Sequence, residues 1–524
     1  LMEGVEDIPG TALHEGVDWN WETFPEFLDA IEKKDFVMDL GFMIGHGPLR
    51  SYVMGYERCQ SQVDASKEEI SKMSDIVTEA IESGALGFST SRTILHRDVH
   101  GVYVPGTEAS SEEMKSLAFA IDKAGEGTLE IVSDWLDKEI EMSWMREYVE
   151  KSDCGLTVLQ TSGDAVKTIL FCEEQFLKGK NVRPQFPGRN VGMMFGLESS
   201  LHPFIGHPSY REIADLPLSE RVKIMKDPAF KEKLLNEKPN FASEIEKSMN
   251  EQGNTKSQEE IKEAANLGLK LISNYDTQFI LGDPPNYEPG KEDSIAALAK
   301  SKGIAELEVI YDEFLKNEGT NLVYACFTPY DNHKLDFVER AYSLKSSVAG
   351  GSDGGAHCGL ICDASMPTTN LSHWARDREA GKKIPIELIV RKQTKDTAET
   401  YGLFDRGEIK TGMLADLNII DFEKLNVTHP KMVYDLPLGG RRLIQTSSGY
   451  LATVKSGEVV YEAGEATGVL PGKLIRGKQT CEVKTEKERV PFIDRTLRLM
   501  SVKAFKLLWN FRKSSVKTTV VSDD

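Results

Sequence analysis

The chain of 524 residues carries 83 acidic against 63 basic side chains, a formal net charge of −20, and 40% apolar residues. That acidic balance excludes a broad nucleic-acid footprint, because neutralising phosphates needs a basic surface. Seven scattered cysteines without a CxxC pair give no disulfide framework, and no apolar run approaches the roughly 18 residues of a membrane-spanning helix. A reducing, cytoplasmic setting without a transmembrane segment is the expectation.

The first residues, LMEGVEDIPG, have neither a basic nor an apolar leader region and are expected to be the interior of a longer sequence. From about residue 20 to 400, strand and helix signals alternate, the pattern of a parallel sheet covered by helices. FVMDLGFMI (36–44) is a strand candidate that runs into GHGPLR. Ile70, Met73, Ile76, Val77, Ala80 and Ile81 then recur at helical spacing, and Gly84 stops that helix. ALGFST (85–90) follows as a strand, SSEEMKSLAFAIDKAG (110–125) as a helix with a serine cap and acidic first turn, and TLEIVSD (128–134) as a strand. LTVLQ (156–160), LKLISNYD (269–276) and LVYACF (322–327) are further strand candidates. The Glu- and Lys-rich stretch of about 205–265 reads as a helical insertion, and 401–475 as short β-runs punctuated by Gly, Ser and Asp. Residues 476–524 form a charged tail with a basic amphipathic helix, which either docks on its own acidic domain or meets a partner or membrane.

Between the apolar run SSVA and residue 358 stands GGSDGGAH (350–357). One reading is a plain turn, since Asp and Gly suit tight backbone. The other places Asp353 at the C-terminal mouth of a parallel strand, where α/β barrels carry their catalytic groups.

Several stretches together resemble the amidohydrolase superfamily, in its N-acyl-D-amino-acid deacylase (D-aminoacylase-like) branch, amidohydrolase family 3. They are WNWETFPEFLDAI (19–31), GHGPLRSYVMG (45–55), EAIESGALGFSTSRTILHRDVHGVYVPGT (79–107), GGSDGGAHCGLICDASMPT (350–368) and TAETYGLFDRGEIKTGMLADLNIIDFEKLNV (397–427). The resemblance implies a (β/α)8 TIM-like barrel whose N-terminal units are missing from 1–400, with a β-sandwich portion at 401–475. It implies a hydrolase of carbon–nitrogen bonds acting on an N-acyl amino acid or related amide. It also implies Zn²⁺ at the strand C-termini, with Asp353 matching the aspartate that touches the metal and shuttles the proton. The His-x-His pair that such barrels place on their first strand does not occur among the ten histidines, and it is expected upstream of Leu1.

Three further residues are substrate-binding candidates. His46 and Arg50, at i and i+4 beyond a strand, either orient a substrate carboxylate or tie up the barrel rim. His357 either positions substrate or decorates the glycine-rich loop. His96, Arg97, Asp98 and His100 form a polar loop that is either surface or site. The alternative to an enzyme is a catalytically inactive amidohydrolase-fold scaffold or binding protein, since fold does not guarantee chemistry. Homo-oligomerisation is a further expectation.

Overall fold

The structure is a computed structural model that describes residues 2–98, 101–135, 137–161, 166–241, 266 and 268–481. Its organising element is a six-stranded parallel sheet of β1 (Ile44–Gly45), β2 (Gly87–Arg92), β3 (Thr128–Ser133), β4 (Gly155–Leu159), β5 (Val182–Pro187) and, after a long excursion carrying β6 to β8, β9 (Val348–Gly350). The order is β1-β2-β3-β4-β5-β9, so every C-terminal strand end opens on one side of the sheet. The parallel sheet is the one expected from the alternation, and the α/β, TIM-like domain with an antiparallel β appendage after it is the one that the family resemblance implies.

Local chemistry explains the units. Helix Lys67–Glu82 starts in a capping box in which Ser66 accepts from the Glu69 amide and Glu69 accepts from the Ser66 amide. Helix Ser111–Ala124 is capped by Ser110 and ends at Gly125, whose φ of 85° suits the left-handed stop that a residue with a Cβ resists. Both helices lay Met73, Val77, Ile81, Met114, Leu117 and Ile121 against Phe88, Leu129, Ile131 and Leu156 of the sheet. Interdigitated burial of this kind is the main favourable contribution to stability.

Two strand expectations are corrected. Of FVMDLGFMI only Ile44 enters a strand; Phe36 and Leu40 make single bridges to Gly472 and Leu474, and Asp39 turns to Arg406 and Lys455 instead of continuing a ladder. LKLISNYD is the end of a helix followed by a 3₁₀ turn, because a short apolar run does not by itself distinguish helix from strand.

After Pro187 the chain leaves the parallel sheet and returns only at Val348. The excursion builds its own antiparallel sheet from β6 (Val191–Phe195), β7 (Gln278–Ile280) and β8 (Val323–Thr328), ordered β6-β8-β7. LVYACF is therefore a strand, but it belongs to this sheet rather than to the barrel wall. Helices Pro208–Arg211, Leu218–Met225 and Pro228–Asn236 occupy the described part of the insertion expected at 205–265. Beyond residue 401, Leu417–Ile420, Tyr450–Lys455, Glu458–Glu462 and Glu465–Ala466 form one antiparallel sheet, and Lys431–Leu436 pairs with Gly440–Ile444. The expected C-terminal amphipathic helix lies outside the described residues. Among the described residues no helix is long and apolar enough to cross a membrane.

Among the described residues Arg50, Arg189 and Arg378 are fully buried, and each meets its own carboxylate: Glu113, Asp363 and Glu288. Glu288 ties the excursion to the π-helical segment Asn370–Asp377, receiving His373 Nε2 at 2.8 Å, Arg378 Nε at 2.9 Å and the Leu335 amide at 3.0 Å. Burial pushes its carboxyl up, but the bonds from His373, Arg378 and Leu335 outweigh it and hold the pKa at about 2. A carboxylate depressed from 4.5 to about 2 adds stability that is fully present above pH 4.5 and is lost as pH falls toward 2. Thermal melting between pH 6 and about 2 should accordingly fall more steeply for the wild-type chain than for Glu288→Gln, which starts lower near neutrality. Parallel curves would remove Glu288 from the acid transition.

Candidate active site at the strand C-termini

At the end of β2, Asp134 from the end of β3 accepts hydrogen bonds from Thr93 Oγ1 and the Ile94 amide, both at 2.7 Å. This pins the turn that brings His96 back, its Nδ1 2.8 Å from Ser91 Oγ. Burial lowers the His96 pKa, and the nearby His357 lowers it further against the opposing charges of Asp353 and Asp134. His96 is thus within electrostatic reach of the glycine-rich loop.

That loop follows β9. Asp353 is exposed with φ 39°, and its carbonyl accepts from the Ala356 amide at 3.1 Å. His357 is left-handed as well, with φ 50°, and its Nε2 lies 3.7 Å from Glu6 Oε2. Burial raises the Glu6 carboxyl, with His357 opposing and Asp353 adding to the rise. Behind the loop, Asp363 is buried against Arg189 Nη2 at 2.9 Å, and the guanidinium stacks 3.6 Å from the Tyr287 ring centroid. Burial pushes the Asp363 carboxyl up to about 6; Arg189 opposes this and the nearby Asp353 adds to it.

Of the four residues expected from sequence, Asp353 and His357 share the mouth. His46 and Arg50 are buried away from it. His46 follows β1, but its Nε2–H donates to Glu113 Oε1 at 2.8 Å and its Nδ1 is 2.8 Å from Thr90 Oγ1. Arg50 donates to the same Glu113 oxygen at 2.9 Å and to the Val63 carbonyl at 2.7 Å. Both side chains are at most 2% exposed, and a Cβ on Gly106 would stand 2.6 Å from His46 Nδ1, so the loop above leaves no room for a ligand. Burial lowers the His46 pKa, with Glu113 opposing, while His46 and Arg50 hold the Glu113 carboxyl below its usual range despite burial. This is a structural network at the barrel rim. Of the polar loop 96–100, His96 reaches the mouth and His100 lies outside the described residues.

Sequence reasoning missed Glu6, Asp7 and Asp363. Asp7 and Gly359 stand 352 positions apart, and no local periodicity announces such a contact. Asp363 in ICDAS carries no spacing signal.

The model of the amidohydrolase family matches residues 1–461, and the chain belongs to that family. It is a hydrolase acting on carbon–nitrogen bonds other than peptide bonds. An uncharacterized protein of Mycobacterium tuberculosis is 24% identical over 498 residues, covering 89% of this chain and 76% of that one. A D-aminoacylase of Alcaligenes xylosoxydans xylosoxydans is 24% identical over 417 residues, covering 79% and 67%. A solved D-aminoacylase, described as having a binuclear metal centre with one-metal activation and second-metal attenuation, superposes with a TM-score of 0.52 at 17% identity, covering 91% of this chain and 80% of its own.

Proposed function

We propose that this amidohydrolase releases the amine from an N-acyl amino acid or a closely related amide, as a D-aminoacylase-like deacylase, with Asp353 as general acid and base. The observation that carries this reading is the position of Asp353, exposed three residues past β9 on the side where all six parallel strands end. Its carboxylate takes a proton from the attacking water as the C–O bond forms, then gives it to the nitrogen as the C–N bond breaks. His357, beside Asp353 on the same loop, orients the substrate. Support for the substrate class comes from the D-aminoacylase relative. A cytoplasmic setting belongs to the same reading, since seven scattered cysteines without a CxxC pair suit a reducing compartment.

Zinc is the metal that a D-aminoacylase-like reading implies, with Asp353 as one ligand. Among the described residues, no group of three or more His, Cys, Asp or Glu side chains is arranged to hold an ion. A catalytic zinc takes about three protein ligands, so the described donors do not fit it, and no step above is routed through it. After dialysis, elemental analysis of the 524-residue chain is expected to find well below one zinc per chain. A retained stoichiometric zinc would show that donors beyond the described ones complete the site.

The function is tested by amine release from a panel of N-acyl-D- and N-acyl-L-amino acids, with and without added zinc. Release from the D-series carries the reading. Binding without release under every condition would favour the inactive scaffold.

A further inference from the structure

We infer that Asp7 is a positioning residue for the mouth, its carboxylate fixing the backbone of the loop that carries Asp353 and His357. The inference rests on the proposed role of that loop and adds a residue far from it in sequence.

Asp353 and His357 both hold positive φ. Non-glycine residues in this region cost of order 1–3 kcal/mol each and persist only where the surroundings over-determine them. The surroundings here are specific. Asp7, immediately after helix Met2–Glu6, receives Ser200 Oγ at 2.6 Å and the Gly359 amide at 3.0 Å on the same oxygen, Oδ2. The Glu6 carbonyl accepts from the Cys358 amide at 3.1 Å. From the other side, the Ser200 amide donates to the Gly359 carbonyl at 3.3 Å and the Leu443 amide to the Cys358 carbonyl at 2.6 Å. Residues 358 and 359 are thus held from three directions, and the Asp7 carboxylate bonds the loop backbone and Ser200 at once, with Arg441 Nη2 in turn 3.2 Å from Ser200 Oγ.

The junction has no slack. A Cβ on Gly359 would stand 2.2 Å from Ser200 Oγ and 2.8 Å from Asp7 Oδ2. A side chain at 359 would therefore push Ser200 or the Asp7 carboxylate aside, although the backbone there is not left-handed.

The test uses Asp7→Ala, Asp7→Asn and Gly359→Ala in the full chain. It reads amide hydrogen exchange over 353–361 together with kcat and KM for an N-acyl amino acid that the wild-type chain hydrolyses. Asp7→Ala is expected to speed exchange at Cys358 and Gly359 and to lower kcat by about 10²-fold with KM little changed, the scale of a small misplacement of reacting groups. Asp7→Asn keeps an acceptor oxygen and should restore most of kcat. Gly359→Ala, which attacks the same junction without removing the carboxylate, should behave like Asp7→Ala. Faster exchange with wild-type kcat in Asp7→Ala would overturn the positioning role, as would unchanged exchange. If the wild-type chain releases no amine, the proposed function fails separately; exchange alone then decides whether Asp7 holds the loop, faster exchange supporting it and unchanged exchange overturning it.

Discussion

Asp353→Asn is expected to lower kcat for amine release by about 10²–10⁴-fold, the usual contribution of a positioned general acid–base group. The substitution isolates the chemistry unusually well. Asparagine tolerates positive φ at least as readily as aspartate, so the 39° backbone at this position is kept. The turn itself depends on the Asp353 carbonyl, which the substitution leaves in place. The side chain is exposed, so melting temperature should stay close to that of the wild type. Steady-state kinetics beside a thermal melt checks both halves, and unchanged turnover would remove Asp353 from the mechanism.

The second large effect falls on stability. Glu113→Ala leaves the Arg50 guanidinium, 1% exposed, without its carboxylate, and deletes the partner of His46 as well. Removing one member of a buried charged pair costs about 3–5 kcal/mol, because the remaining charge has no water to turn to. The denaturation midpoint in urea should drop accordingly. KM of the fraction that remains folded should not move, since the network does not reach the mouth. The double exchange Glu113→Leu with Arg50→Met should be milder than Glu113→Ala alone, as it removes both charges together. An unchanged midpoint in Glu113→Ala would contradict the burial of the pair, and a raised KM would return Arg50 to the substrate.

These two residues also mark what the sequence could and could not disclose. The loop GGSDGGAH was legible as a turn after a strand, and as a candidate site only through the family resemblance, whereas the parallel sheet was legible because βα units repeat on a short period. His46 and Arg50 were legible as a pair but not as a buried one: their partner Glu113 sits 63 to 67 positions away in the first turn of a helix, where an acidic residue is expected in any case. The excursion was only half readable. Its helices announced themselves by composition, whereas β7 is three residues long and offered too little alternation to be found. Asp7 and Asp363 act through tertiary approach, and single-sequence patterns carry no trace of such approach.

The parallel sheet also has a schedule. Strands β1 to β5 follow one another with a single helical crossover between most neighbours, so each can dock soon after it is made. Strand β9 pairs with β5 only after the whole excursion has been synthesised, and the loop behind it then needs Asp7 from the beginning of the chain and Leu443 from beyond the barrel. On a ribosome this loop is therefore completed late, only after residue 443 has emerged. Until residue 443 has emerged, the strained loop is held by Glu6, Asp7 and Ser200 but lacks the bond from the Leu443 amide.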